Sequence, residues 1–299
     1  MTNRILLIVI FCLSLILVFI SSSKNTTFFY SKPTITIKDS KTNVISTVDL
    51  EEYIIGVVAA EMPASFNIEA LKAQAIASRT YATFKMANTT AAYDVVTDVT
   101  DQSYITNEEM QAKWKEDYDI YYEKIKNAVN STKGMVMLYN DEVIEAYYFS
   151  MSNGYTEDVS LVFSEDREYL QSVKSIYDNE ELNNFQVTKQ FNKNDFCQKL
   201  EIKCKEIKIS NINRSNTNRV NTLKVNDKIF KGTRFRSLLG LRSTDFDIEI
   251  KNGIVEITTR GYGHGVGMSQ YGANGMAKAG YSYEEILNYY YKNIKITTI

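Results

Sequence analysis

The stretch "LEEYIIGVVAAEMPASFNIEALKAQAIASRTYA", Leu50–Ala82, decides how this chain folds and where its chemistry sits. Leu50, Tyr53, Ile54, Val57, Val58 and Glu61 recur at helical spacing and mark one face of an amphipathic helix. Asp49 stands where an N-cap is needed, and Glu51 and Glu52 fill the first turn. Pro63 bars the helix from running on. Glu61 therefore prolongs an apolar stripe at the helix end. Burying a carboxylate costs several kcal/mol unless it is paired or protonated. An exposed helix-terminal glutamate is the plain alternative, but the small, apolar neighbours and the turn at Pro63 suit a cleft edge. A carboxyl partly desolvated there has a raised pKa and can donate a proton near neutrality, which is the work of a general acid.

A second helix follows, capped by Asn67 and rich in alanine, which lets another backbone approach closely. Lys72 and Arg79 are seven residues apart on it and share a face. They form either a solvated face or a pair of cations closing over the Glu61 cleft to hold substrate oxygens. Outward from this core, "TITIKD" (34–39) alternates as a strand, and a third helix is predicted over 107–129. "GMVMLYNDEVIEAYYFS" (134–150) reads as a hairpin turning at Asn140-Asp141. A small α+β insert is predicted over 186–232, with a helix near 194–201 and strands at "KEIKIS" and "RVNTLKVN". "RFRSLLG" is a brief helix ended by Gly240, and "DFDIEIKNGIVEITT" is a hairpin turning at Asn252-Gly253. A glycine loop then opens into a helix, and a last helix lies near 283–292. The predicted class is α+β: a helical catalytic core packed on antiparallel hairpins, with the insert.

The composition is that of an ordinary globular protein, 44% hydrophobic and 23% charged over 299 residues. A net charge of −2 leaves no electrostatic footprint for nucleic acid. The 21 tyrosines suit ligands with both apolar faces and hydroxyls, sugars included, although tyrosine also serves cores and surfaces. Residues 1–30 read as a membrane anchor and linker, and 31–299 as the extracytoplasmic domain. "ILLIVIFCLSLILVFI", Ile5–Ile20, is an uncharged apolar run preceded by Arg4. Its length and the poor small-residue cleavage site favour a retained anchor over a signal peptide, and either sends the rest of the chain out of the cytoplasm. Cys12 lies in that run, while Cys197 and Cys204 make neither a metal knuckle nor a disulfide framework, so a bridge and two free thiols both stay open.

Two polar loops carry more Ser, Asn, Gln and Gly than a connector requires. "SMSNGYTED" (150–158) offers Ser150, Ser152 and Asn153; "RGYGHGVGMSQYG" (260–272) offers His264, the sole histidine, and Gln270. The reading is that they line the groove beside Glu61 from two sides, bonding sugar hydroxyls and N-acetyl groups. The alternative is ordinary turns, with His264 bonding a neighbouring carbonyl. The glycine spacing does not fit a dinucleotide fingerprint. One histidine and two clustered cysteines do not make a zinc site, and no G-x-S-x-G marks a serine hydrolase.

"LEEYIIGVVAAEMPASFNIEALKAQAIASRTYA", "SMSNGYTED", "RFRSLLGLRSTDF" and "GYGHGVGMSQYGANGMAKAGYSYEEILNYYY", in this order, resemble the stage II sporulation protein D family. The resemblance implies a lytic transglycosylase that cuts the β-1,4 bond between N-acetylmuramic acid and N-acetylglucosamine in peptidoglycan and leaves a 1,6-anhydro end. It implies that Glu61, in the E-M-P motif, is catalytic and that Lys72 and Arg79 bind substrate. It further implies a role in forespore engulfment, with stage II sporulation proteins P (an amidase) and M (a membrane scaffold) as partners and glycan stripped of stem peptides as the preferred substrate. Some relatives bind zinc through His and Cys near the segment that here reads "TDVTDQSYIT"; this chain has neither there, so no metal or other cofactor is expected. The family's amidase-enhancer branch implies a rival reading, a glycan-binding module that modifies an amidase without cleaving.

Overall fold

The structure is a computed structural model describing residues 33–178, 184–203 and 205–299. The apolar run at 5–20, Cys12 and Cys204 lie outside those residues; among the described residues no helix is long and apolar enough to cross a membrane.

Strands β1 (Thr34–Lys38) and β2 (Ile45–Asp49) form an antiparallel hairpin, and β1 takes β3 (Val95–Val96) in parallel on its other edge. The chain passes directly from β2 into helix α1 (Leu50–Glu61), because the Asp49 side chain accepts from the Glu51 and Glu52 amides and supplies the cap. Helix α2 (Ile68–Asn88) starts in the same way under Asn67, which accepts from the Glu69 amide. Ala70, Ala73 and Ala77 on α2 are fully buried. Small side chains let α2 serve as the central element against which its neighbours pack.

Helices α3 (Asn107–Trp114) and α4 (Tyr118–Ser131) stand where the sequence predicts one helix. A 3-10 turn at Lys115–Asp117 separates them, and Lys115 sits at φ 50°, ψ −115°. A non-glycine residue adopts that conformation only where its surroundings hold it. Next come β4 (Met135–Tyr139) and β5 (Glu142–Val143), turned by Asn140 and Asp141, both at positive φ, as a type I′ turn requires. The hairpin is shorter than its sequence suggests. After Val143 the chain leaves the ladder, and β6 (Tyr148–Phe149) is a separate strand. The short helix α5 (Val159–Val162) follows.

Residues 186–260 build a second, smaller core. It comprises β7 (Gln186–Asn192), α6 (Lys193–Lys199), β8 (Ile209–Arg214), β9 (Val220–Val225), β10 (Lys228–Lys231), α7 (Gly232–Leu239), β11 (Phe246–Lys251) and β12 (Ile254–Arg260). The strands make two three-stranded sheets, β10-β9-β8 and β11-β12-β7. Phe191, Phe196, Phe230, Phe235, Phe246 and Ile257 meet between them. This core therefore draws on the β11–β12 hairpin as well as on the 186–232 stretch read as an insert. Strand β8 begins at Ile209, displaced toward the C-terminus from "KEIKIS". Cys197 on α6 is buried and disulfide-bonded.

The chain then returns to the large core through β13 (Met268–Ser269), α8 (Gln270–Lys278), α9 (Tyr283–Tyr290) and β14 (Lys295–Thr298). Strand β13 pairs in parallel with β6, and β14 adds to the free edge of β4. The fold is α+β, with its main core around α1, α2, α4, α8 and α9.

Candidate functional site

Glu61 is the last residue of α1; Met62 then turns to an extended conformation and Pro63 follows. Its carboxylate is acted on by groups from three other parts of the chain. The Ser103 amide donates to Oε1 at 2.7 Å. The Gln270 side chain and the Lys113 ammonium of α3 both favour the ionised form. Burial raises the Glu61 pKa above the ordinary glutamate range, and the Ser103, Gln270 and Lys113 interactions counter part of that rise. The result is a carboxyl that binds its proton more tightly than a free glutamate and has donors in place for the ionised form.

Local packing explains why Ser103 reaches it. A Cβ on Gly56 would stand 2.2 Å from Tyr104 Cε2 and 2.8 Å from the Ile105 carbonyl oxygen. Only a glycine on α1 leaves room for the 102–105 segment. Tyr104 then stacks on Tyr53 at 5.4 Å between centroids, and the Ile105 amide donates to the Gly56 carbonyl. Beside it, Gln102 is buried and donates to the Ser78 carbonyl and the Tyr148 hydroxyl, while its own Oε1 accepts from the Tyr53 hydroxyl. Burial and the Glu61 charge both raise the pKa of Tyr148, so its phenol stays protonated.

Gln270 arrives from the opposite direction. A Cβ on Gly267 (φ 76°) would fall 1.9 Å from the Tyr147 carbonyl oxygen, so this glycine permits the β6–β13 ladder to close. Ser269 caps α8 by accepting from the Gly272 amide and itself donates to Asp178. Gln270, the first residue of α8, is buried and donates to Gln74 of α2 at 3.3 Å. Lys113 donates to the Ala59 carbonyl at 2.8 Å, two residues before the end of α1. Burial lowers its pKa and the Glu61 charge opposes that shift.

The other predicted residues are placed differently. Arg79 is fully buried. Its Nε and one terminal nitrogen clasp Glu51 at 2.9 and 2.6 Å, and it also donates to the Val129 and Met135 carbonyls. Glu51 lies in the first turn of the helix that Glu61 ends, about 15 Å away at 1.5 Å per residue. Arg79 is thus a core ion pair and not a groove cation. Lys72 pairs with Glu69 at 2.7 Å and lies over the Tyr283 ring of α9; the lysine acting on Glu61 is Lys113.

Ser152 is buried, and its hydroxyl donates to Asp178. Asp178 also gathers the Ser175 and Ser269 hydroxyls, so Ser152 supports the α8 cap from behind and does not line the groove. Asn153 donates to the Thr217 carbonyl and to Asp245, toward the smaller core. Ser150 contributes its backbone carbonyl to the Tyr271 amide. His264 Nε2 donates to the Tyr148 carbonyl at 2.9 Å and Nδ1 accepts from the Val266 amide at 3.1 Å. Packed against Tyr147, Phe149 and Phe163, it has its pKa pushed down to about 4, by burial first and then by the Arg236 charge. A neutral ring with both nitrogens engaged is a structural histidine. Of the two loops, only Gln270 acts on the Glu61 charge. Two cavities, of about 270 and 290 Å³, are lined by other residues and not by Glu61.

Ser103, Lys113 and Gln102 are site residues that the sequence reading missed. The Ser103 amide donates as that of any residue but proline would, and the single hydroxyl beside it carries no motif. Gln102 and Lys113 carry no motif, and only their position in the fold reveals them.

Comparison with known proteins agrees with the opening resemblance. A family model described as Stage II sporulation protein matches residues 38–139. Stage II sporulation protein D of Bacillus subtilis (strain 168) is 39% identical over 260 residues, covering 85% of this chain and 76% of the relative. The Bacillus amyloliquefaciens protein of the same name is 38% identical over a similar span, with 85% and 75% covered. The amidase enhancer of Bacillus subtilis (strain 168) is 28% identical, over 81% of this chain and 40% of its own length. With 39% identity across most of both sequences, this chain belongs to the stage II sporulation protein D family.

Proposed function

We propose that the protein is a peptidoglycan lytic transglycosylase with Glu61 as its single acid–base residue. The observation that carries the reading is a glutamate whose pKa burial raises, with the Ser103 amide bonded to it and Gln270 and Lys113 acting on it. Ordinary glycosidases position two carboxylates. Here Glu61 gives its proton to the glycosidic oxygen as the bond from that oxygen to C1 of the muramic acid breaks. The resulting carboxylate is stabilised by the Ser103 amide and the Gln270 side chain. It then takes the proton of the C6 hydroxyl of the same sugar as O6 bonds to C1, closing the 1,6-anhydro ring. The nucleophile is intramolecular, so no second base has to position water. Glu61 ends protonated and ready for another cycle.

Family membership supports a place in sporulation, and we assign the activity to the glycan remodelling of engulfment, on strands stripped of stem peptides. Attachment through 5–20 would hold the domain at the outer face of a membrane, with stage II sporulation proteins P and M as partners. The decisive experiment digests denuded glycan strands and measures anhydro-ended products. Glu61→Gln is nearly isosteric but cannot cycle a proton, and release should fall by about 10²-fold or more. In the unaltered protein, release should fall as pH rises through the elevated Glu61 pKa, since the acid must be protonated to act. Near-normal release by Glu61→Gln would remove Glu61 from the reaction. The likeness to the amidase enhancer supports a second reading, a module that binds glycan and modifies an amidase; it gains if the unaltered protein binds strands and releases no anhydro ends.

A further inference from the structure

Asp178 is a buried carboxylate that takes no part in the chemistry at Glu61, yet it joins three separate segments of the chain. Its Oδ1 accepts from the Ser152 amide at 2.9 Å and from the Ser269 hydroxyl at 2.7 Å. Its Oδ2 accepts from the hydroxyls of Ser152 at 2.8 Å and Ser175 at 2.6 Å. Burial raises its pKa and the three serines counter that rise. From α9 the Tyr290 hydroxyl bonds the Ser175 hydroxyl at 2.7 Å, and the Asp178 charge also acts on Arg219. The first turn of α8 rests on this junction. A Cβ on Gly272 would stand 2.7 Å from Asp178 Oδ2 and 2.1 Å from the Tyr290 hydroxyl oxygen, so a glycine is needed there. An ionised carboxylate only accepts, so each serine must turn its proton toward Asp178 and its lone pairs away. Ser152 then accepts from the Gly154 amide at 3.0 Å, and Ser269 accepts from the Gly272 amide at 3.2 Å as the N-cap of α8. The next residue is Gln270, which donates to Gln74 and acts on Glu61.

We propose that Asp178 is a positioning residue for the Glu61 site: by orienting the Ser269 hydroxyl it fixes the first turn of α8, and with it the placement of Gln270. The inference rests on the reading of Glu61 as the acid–base residue. Gln270 follows the cap directly, so a loosened cap moves it before it moves anything else on α8. The other titratable groups that interact with the Glu61 charge are Lys113 of α3, Tyr53 of α1 and Tyr148 of β6, none of them carried by α8. Withdrawing Gln270 therefore removes one interaction that favours ionised Glu61 and leaves the rest in place.

The test compares Ser269→Ala with Ser152→Ala in the full chain. Each removes one hydroxyl from Asp178 and one acceptor from a backbone amide, so their unfolding midpoints should fall alike; only Ser269 caps α8. Two readouts are taken. One is the pH profile of anhydro release from denuded strands. The other is the titration of the Glu61 carboxyl resonance, identified in glutamate-labelled protein by its loss in Glu61→Gln. Ser269→Ala should raise the Glu61 midpoint, carry the alkaline limb of release to higher pH with it, and lower kcat about tenfold with KM little changed. Ser152→Ala should leave the midpoint and the limb in place. Asp178→Ala should act as Ser269→Ala does. Asp178→Asn should recover the unaltered midpoint, because the Ser152 amide can only donate and so selects the carbonyl oxygen of the asparagine for the position that Ser269 shares. An unmoved Glu61 midpoint in folded Ser269→Ala overturns the proposal, and so does an equal shift in Ser152→Ala, which would mark general loosening. Should Asp178→Ala unfold, the serine pair alone decides. Loss of the lytic reading looks different: the unaltered protein releases no anhydro ends, while the carboxyl titration still reports whether Ser269 and Asp178 place Gln270.

Discussion

Arg79 lies in the protein interior, and its two-point clasp on Glu51 ties α2 to the first turn of α1. Removing one partner of such a pair leaves the other charge buried and alone. Arg79→Ala should therefore destabilise the fold by about 3–5 kcal/mol, read from urea unfolding. Arg79→Lys should restore only part of that, because an ammonium cannot match the fork geometry. Unchanged stability with lost glycan binding would return Arg79 to the groove. The sequence shows that Lys72 and Arg79 share a helix face, but spacing does not say what the face meets. Glu51 lies 28 residues away, and nothing local pairs it with Arg79. Glu61 was legible because it continues an apolar stripe and is followed by a proline. Its nearest donor was not, because the Ser103 amide is one the backbone of any residue but proline would supply. His264 shows the opposite limit: four flanking glycines mark a tight, close-packed loop, and the packing itself silences the ring.

Between elements, the contact of α1 with the 102–105 segment turns on one hydrogen atom at Gly56. Gly56→Ala should force Tyr104 and the Ile105 carbonyl outward, at a cost of about 1–3 kcal/mol. It should also withdraw the Ser103 amide from Glu61, so anhydro release should fall more than stability predicts. The paired measurements are thermal unfolding and product release; a stable, fully active variant would show that the segment is not held by this contact. Helix starts were readable here because Asp49 and Asn67 bond to the amides just ahead of them. The turns at Asn140-Asp141 and Asn252-Gly253 were readable because few residues accept positive φ. The break at Lys115 carries no such marker. The two-residue β6–β13 ladder joins segments 120 residues apart and is too short to leave a periodic pattern.

Over the described chain, apolar residues gather into two clusters, one around α1 and α2 and one around Phe235. Phe235 is fully buried against the rings of Phe196, Phe230 and Phe246. Phe235→Ala should cost about 3–5 kcal/mol. By hydrogen exchange the added opening should centre on 186–260, with α1 and α2 far less affected. Equal loss of protection in both clusters would mean that they unfold as one unit. The α+β class was legible because each element announces itself locally; the division of the core was not, because the β11–β12 hairpin looks the same in sequence whichever cluster it joins. The long-range closure at Gln270 has a consequence for timing. Its contact with Gln74 spans 196 residues. At translation rates of about 5–20 residues per second, that interval lasts roughly 10–40 s. Throughout it Gln270 is absent from the Glu61 site, so a nascent chain emerges with that site unassembled and completes it only when the last tenth of the polypeptide has docked.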